Sequence, residues 1–215
     1  WSPVTVVELN ARVEHLAWGP RPSLLAAGFA ESATVLLETA FYRKVRDGLG
    51  CIQSGPDTLT VTKCEPDAKP VTLTAGIRIS GADHDDSRVV VWSGKKAEVY
   101  EVQADSCRFV GAFSRVTSLI GIRKESLYCI AGPRVECCNL QGTVKHTIAF
   151  TDSEGEPCTL DVMGNILVVA TTLGIIKTWD ISRREPRQLG AGTSFAGPDD
   201  VVLGNILSVK VNSDG

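Results

Sequence analysis

Residues 167–180 read Leu-Val-Val-Ala-Thr-Thr-Leu-Gly-Ile-Ile-Lys-Thr-Trp-Asp, and this stretch decides the fold. An apolar run ends in small residues, a glycine follows in a short turn, and an alternating run then leads into Trp179 and Asp180. Gly174 can supply the positive φ that a tight hairpin turn requires. The stretch therefore predicts two antiparallel strands, with Trp179 packed between neighbouring sheets and Asp180 ending the second strand.

Two further copies of this hairpin indicate an internal repeat. Residues 91–99 read Val-Trp-Ser-Gly-Lys-Lys-Ala-Glu-Val, and residues 129–137 read Cys-Ile-Ala-Gly-Pro-Arg-Val-Glu-Cys, which is an offset of 38 residues. Candidate units begin 41 to 58 residues apart, with first strands near Val13, Val71, Val116, Pro157 and Ile206. Because blades of four antiparallel strands recur at about 40–45 residues, the spacing favours a β-propeller with the surplus in loops.

The whole chain has the texture of short β-rich runs broken by Gly, Pro, Ser and Asp, with no convincing helix between them. We predict an all-β fold, an incomplete WD-repeat β-propeller of about four blades plus flanking strands. One domain would span residues 1–215, with blades near 13–63, 71–113, 116–150 and 157–189, and with 206–215 opening a further blade. Since four blades and loose strands do not close a ring, we expect adjoining sequence.

Three local details complete the prediction of the fold. Residues 4–9 should form a lone outer strand, and residues 31–46 a strand followed by a loop. Leu173 stands where the best WD repeats carry an aspartate before the turn glycine, so their hydrogen-bonded side-chain tetrad is incomplete. The other copies lack Trp-Asp, and the propeller is therefore degenerate.

Composition excludes several classes of function. Hydrophobic residues make up 43% and charged residues 22%, which is the balance of a soluble globular protein. The net charge of −3 gives no electrostatic basis for binding nucleic acid. The longest purely apolar run, residues 166–170, is far shorter than the roughly 20 residues of a membrane-spanning helix. We expect neither a nucleic-acid partner nor a transmembrane segment.

Residues that often carry chemistry do not form a recognisable site. The seven cysteines are odd in number and lack a C-x-x-C pair, so we predict buried, reduced thiols. The three histidines are scattered, and Asp83-His84-Asp85-Asp86 lacks the alternation of a calcium loop and should be a solvated turn. No nucleophile elbow, phosphate loop or dinucleotide fingerprint occurs. We predict no catalytic residue, no cofactor and no metal, hence a non-enzymatic protein.

Three segments carry a resemblance to a known family. They read Gln-Gly-Thr-Val-Lys at 141–145, Glu-Gly-Glu-Pro-Cys-Thr-Leu-Asp at 154–161 and Asp-Ile-Ser-Arg-Arg-Glu at 180–185. This pattern resembles the second propeller of a large WD-repeat subunit of intraflagellar transport complex A. The resemblance implies a scaffold for retrograde transport and membrane-protein entry in cilia or flagella. It implies sister subunits and ciliary cargo adaptors as partners, and a location in the cilium or flagellum (axoneme and basal body) and cytoplasm.

A charged strand end is the predicted contact surface with partner proteins. It consists of Arg183, Arg184, Glu185 and Arg187, and it continues into the loop 190–200, because charged residues beside a glycine-bearing loop suit a docking site on a rigid scaffold. Simple pairing of these arginines with Glu185 or Asp180 stays open. The alternative function is a stand-alone propeller in membrane trafficking that binds phosphoinositide or peptide. Phosphoinositide-binding propellers carry Phe-Arg-Arg-Gly where this chain has Ser-Arg-Arg-Glu, so we expect membrane contact to be at most indirect.

Overall fold

A computed structural model describes residues 8–19, 24–37, 42–195 and 206–212. The regular secondary structure of these residues consists of β-strands, and all strand pairs are antiparallel. The chain divides into two compact units, residues 1–41 and 42–215. The first unit holds one three-stranded sheet, in chain order, of β1 (His15–Trp18), β2 (Leu24–Gly28) and β3 (Ala33–Leu37).

The second unit contains four sheets of four strands each, and in every sheet the strands follow one another in chain order. The first two sheets are formed by β4 (Arg43–Arg46), β5 (Leu49–Gln53), β6 (Thr58–Lys63) and β7 (Val71–Thr74), and by β8 (Gly81–His84), β9 (Arg88–Trp92), β10 (Lys96–Val102) and β11 (Cys107–Ser114). The last two are formed by β12 (Ile120–Arg123), β13 (Ser126–Ile130), β14 (Arg134–Asn139) and β15 (Val144–Ala149), and by β16 (Pro157–Met163), β17 (Ile166–Thr171), β18 (Ile175–Asp180) and β19 (Arg187–Ser194).

Consecutive sheets of this unit stack face to face. In β9, Val89 and Val91 pack in one apolar cluster with the preceding sheet, whereas Val90 and Trp92 pack in another with the following sheet. Strands buried on both faces read as continuous apolar runs, which explains the sequence of β9. The first strands also meet, since β12 contacts both β8 and β16. These stacked, meandering sheets are the blades of a WD-type β-propeller, and the predicted fold class is confirmed.

The outermost strands are short or irregular. β7 has only four residues. In each of the other three sheets the register between the third and fourth strands shifts, at Val99/Tyr100, Cys137/Cys138 and Ile176/Thr178. Each shift is a β-bulge or a comparable irregularity, which leaves extra residues of the fourth strand without a partner.

The boundary predicted between the first two blades, 13–63 and 71–113, is wrong. Residues 15–37 form their own sheet, and the first four-stranded sheet runs from residue 43 to 74. Residues 71–74 are therefore the fourth strand of that sheet, and the next sheet begins at Gly81. The solvated turn predicted at 83–86 is wrong for Asp83 and His84, which belong to β8 and are buried. Asp85 and Asp86 do lie in the turn between β8 and β9, but only Asp86 is exposed.

Other segments also differ from the prediction. Residues 43–46 are strand β4, where we predicted a loop, and residues 187–194 are strand β19, which covers the first five residues of the predicted loop at 190–200. No strand occurs in residues 206–212, although a first strand was predicted there. The lone strand predicted at 4–9 falls mainly outside the described residues.

Candidate functional site

The residues predicted as a contact surface lie at one end of the last sheet. Arg183, Arg184 and Glu185 are exposed in the turn between β18 and β19, and Arg187 is exposed at the first position of β19. None of these three arginines forms an ion pair with a carboxylate in the described part of the chain. The close pairing with Glu185 or Asp180 that the sequence left open is not formed, although the charges of Arg183 and Arg187 do act on Asp180. The guanidinium groups therefore keep N–H donors for an external acceptor.

Asp180 organises this turn from within. Its Oδ1 accepts a hydrogen bond from the backbone N–H of Ser182 at 2.8 Å. Hydrogen bonds from Ser182, followed by the charges of Arg183 and Arg187, lower the pKa of Asp180. Arg187 also lies opposite Asp180 in the β18–β19 register. Asp180 thus ends its strand and shapes the turn that presents the arginines.

The other two predicted residues of the Trp-Asp hairpin belong to the same sheet, Gly174 in a turn and Trp179 in a strand. Gly174 has a φ of 77° in the turn between β17 and β18, which a side chain would strain. Trp179 is 4% exposed and meets the ring of Phe150 edge to face, with ring centroids 5.8 Å apart; Phe150 directly follows β15 of the preceding sheet. Leu173, in the place of the usual aspartate, is exposed. Packing between two sheets is therefore what this tryptophan contributes.

A cluster of buried charges, which we did not predict from the sequence, joins the first strands of three sheets. Lys44 Nζ of β4 lies 2.9 Å from Asp83 Oδ1 of β8 and 3.1 Å from Asp161 Oδ1 of β16. Arg46 donates to the carbonyl oxygen of Val162 at 2.7 Å and lies 3.3 Å from Asp83 Oδ2. Asp83 Oδ2 also accepts the backbone N–H of Ile122 at 3.0 Å. We call Lys44, Arg46, Asp83 and Asp161 the axial cluster.

The cluster follows the internal repeat. Lys44, Asp83, Gly121 and Asp161 each stand two positions before the residue that closes the first hairpin of their sheet. The four positions are therefore equivalent. A Cβ on Gly121 would come within 2.8 Å of side-chain atoms of Leu160 and Val162, so any larger residue here would require those side chains to shift. The other three equivalent positions carry Lys44, Asp83 and Asp161, and the lysine lies between the two aspartates.

The titratable groups beside the axial cluster are held in unreactive forms. His84 is fully buried, its Nε2 lies 2.9 Å from the carbonyl oxygen of Leu49, and its Nδ1 lies 3.1 Å from the hydroxyl of Tyr42. Burial lowers the pKa of His84 and raises the pKa of Tyr42, so both stay neutral near pH 7. A neutral imidazole with both nitrogens engaged is a structural link between strands.

A second set of charges ties each connector to the sheet that it enters. The third strands of three sheets carry Glu98, Glu136 and Lys177, which contact Gly76, Arg115 and Glu154 respectively. Each partner lies in the segment that leads into the same sheet. The last of the three contacts has the opposite polarity, with the cation on the strand. These buried or half-buried contacts hold each connector against the sheet that it enters.

The cysteines follow the prediction only in part. Cys51, Cys129, Cys137 and Cys138 are buried, whereas Cys64 is exposed and Cys107 and Cys158 are half-buried. All are free thiols, and Cys137 and Cys138 point into different apolar clusters. In the described ranges no group of three His, Cys, Asp or Glu side chains is placed to hold a metal ion. Nor does any described helix have the length and apolarity needed to cross a membrane.

Comparison with known proteins agrees with this architecture. The crystal structure of the computationally designed Ika8 protein is similar, with a TM-score of 0.52 at 14% sequence identity. The match covers 92% of this chain and 64% of that one, so the present chain spans less than two thirds of the designed protein. At this identity the likeness concerns the fold alone.

The family match is more specific. A family model described as the IFT140 second beta-propeller matches residues 47–215, which is well over half of the chain. The matched range begins in the hairpin turn after β4 and includes the Trp-Asp hairpin and the turn with Arg183 and Arg184. It also includes the three segments on which the resemblance rested. The chain therefore belongs to the family of the IFT140 second beta-propeller.

Proposed function

We propose that this chain serves as a non-enzymatic scaffold within intraflagellar transport complex A, supporting retrograde transport and membrane-protein entry in cilia or flagella. Membership of the family implies a scaffold role related to that complex, and it is the observation that carries the proposal. The chain would act in the cilium or flagellum, including axoneme and basal body, and in the cytoplasm. Its partners would be sister subunits and ciliary cargo adaptors.

The proposed contact with these partners is the turn of Arg183, Arg184, Glu185 and Arg187. Its support is chemical, because three exposed guanidinium groups have no carboxylate partner in the described ranges. Guanidinium groups bind carboxylates through paired hydrogen bonds, and arginine is enriched at protein interfaces. A partner surface with carboxylates would therefore fit this turn.

The test is a charge reversal in the full-length protein. Arg183→Glu combined with Arg184→Glu should reduce co-purification with sister subunits about tenfold or more, because each charge-assisted contact is worth roughly 1.5–3 kcal/mol. The melting temperature should not change, since both side chains are exposed. The matched control is Lys95→Glu with Lys145→Glu, which changes the net charge equally at two other exposed sites.

Two outcomes would count against the contact. If the double variant of Arg183 and Arg184 assembles as the wild type does and still supports retrograde transport, partner binding lies elsewhere. If instead the wild type binds liposomes that contain phosphoinositide and the double variant does not, the arginines serve a membrane. The carboxylate of Glu185 beside them disfavours that second reading, because it repels phosphate.

A further inference from the structure

A cavity lies beside the axial cluster, and all four residues of the cluster line it. Its volume is about 380 Å³, and its wall combines the charged residues of the cluster with apolar side chains, among them Trp92, Leu160 and Met163. It is far larger than one water molecule needs. Pockets with an apolar wall and a few convergent polar groups are the usual form of a small binding site.

The charges around this cavity do not balance. Arg43, Lys44, Arg46 and Lys210 line it together with only two carboxylates, those of Asp83 and Asp161, so the lining carries a net charge of +2. The whole chain, by contrast, carries a net charge of −3. A surplus of positive charge in a recess repels cations and concentrates anions.

The two carboxylates are already engaged, whereas several donors are not. Asp83 is held by Lys44, Arg46 and the N–H of Ile122, and Asp161 by Lys44 and the N–H of Val211. The Arg46 side chain is 4% exposed, and its Nε–H has no hydrogen-bond acceptor in the structure, since the carboxylate oxygen beside it, Asp47 Oδ2, lies 3.9 Å away. A buried donor without an acceptor is costly, and it indicates a missing partner.

The two cations at the exposed side of the cavity are also underused. Arg43 is exposed and forms no ion pair with the described carboxylates. Lys210 has a side chain that is 69% exposed, and its Nζ lies 3.7 Å from Asp161 Oδ1, too far for a strong hydrogen bond. These two side chains can therefore turn toward an arriving anion without breaking the links between the first strands.

We propose that this cavity is an anion-binding site that takes a carboxylate or phosphate group. Arg43 and Lys210 would contact the anion at the mouth, and Arg46 would supply the buried N–H donor. The group could come from the acidic side chain or carboxyl end of a partner segment, or from free phosphate. The site is separate from the turn of Arg183 and Arg184, so the two proposals stand or fall independently.

Titration calorimetry of the full-length protein at low salt tests the site with two probes, inorganic phosphate and an acetylated tetraglutamate peptide. At least one should give a saturable isotherm, and Trp92 in the cavity wall should change its fluorescence. Arg43→Gln with Lys210→Gln should weaken binding about tenfold or more, because each removes a charge-assisted contact. Single Lys210→Gln should weaken it less. Tighter binding of the peptide would identify a partner segment as the source, and binding of phosphate alone would identify a free anion.

The matched control is Lys95→Gln with Lys145→Gln, which removes two exposed cations away from the cavity. It should leave affinity unchanged. The peptide titrations use the Arg183→Glu with Arg184→Glu background throughout, because that turn is itself proposed to bind carboxylates and would otherwise contribute to the heat. If neither probe gives heat at millimolar concentration, the cavity holds solvent only and the proposal is wrong. Equal weakening in the control pair would also overturn it, because the binding would then reflect overall charge.

Discussion

Arg46 and Arg183 have the same side chain in opposite settings. Arg46 is buried, lies beside Asp83 and donates to the backbone of two other strands, at Val162 and Ile122. Arg183 is exposed and has no carboxylate partner in the described part of the chain. A charge whose partners come from distant strands holds the sheets together. An exposed charge without a close partner contributes little to the stability of the fold and is available to bind another protein.

The largest effect should follow from breaking the axial cluster. Arg46→Met leaves the carbonyl oxygens of Val162 and Ile122 without their donor and removes one counter-charge of Asp83, which should lower the free energy of unfolding by about 3–5 kcal/mol. Denaturant titration of the chain measures this. Arg183→Met is the matched control and should leave the midpoint where it is. Equal midpoints for the two variants would mean that burial does not distinguish these arginines.

An intermediate effect is expected at Glu98, whose side chain is 4% exposed. Burial raises its pKa, but hydrogen bonds from Lys96, Tyr100 and the backbone of Gly76 outweigh this and lower the pKa overall. Replacing the carboxylate in Glu98→Gln should cost about 1–3 kcal/mol at neutral pH.

The pH dependence of this variant gives a sharper test. Because the pKa of Glu98 is lower in the folded than in the unfolded chain, its stabilisation is fully present above the unfolded value of about 4.3 and is lost as the pH falls through the folded value. The melting temperatures of wild type and Glu98→Gln should therefore begin to converge as the pH falls below about 4.3 and should meet once it has passed the folded value. A constant gap across the acid range would mean that the carboxylate charge contributes nothing.

The smallest effect is expected at Asp180. Asp180→Asn keeps a side-chain oxygen that can accept from the N–H of Ser182, so the turn should persist and the melting temperature should stay unchanged. The melting temperature should also become insensitive to the titration of this group at low pH. A large fall in melting temperature would mean that Asp180 stabilises the fold as the axial cluster does. The contrast between buried and exposed charges would then be wrong.

How much of this fold is predictable from the sequence depends on where each residue finds its partner. The hairpins of β13–β14 and β17–β18 are apolar, carry a turn glycine and pair locally, so their pattern predicts them. The strands β4 and β8 are polar, and their charges are satisfied by residues far along the chain, such as Lys44 by Asp161. Periodicity describes neighbours only, and it therefore misread β4 as a loop and β8 as a turn.

The candidate sites divide in the same way. The turn of Arg183 and Arg184 is visible in the sequence because exposed charges cluster within a few residues. The cavity is not visible, because Arg43, Asp83 and Lys210 come together only when three strands or segments meet. A polar residue that interrupts the expected apolar strand pattern, as Asp161 does in Thr-Leu-Asp-Val, is the one signal that could have pointed to it.

The register shifts in the outermost strands affect whether copies of this protein can aggregate through their sheet edges. A fourth strand presents unpaired N–H and C=O groups, and a regular one would template the addition of a strand from another chain. In three sheets a bulge or irregularity interrupts that template at Val110, Lys145 and Gly190–Gly192, and in the remaining sheet β7 is only four residues long. The blades thereby discourage lateral aggregation, which leaves turns and loops as the surfaces for regulated assembly.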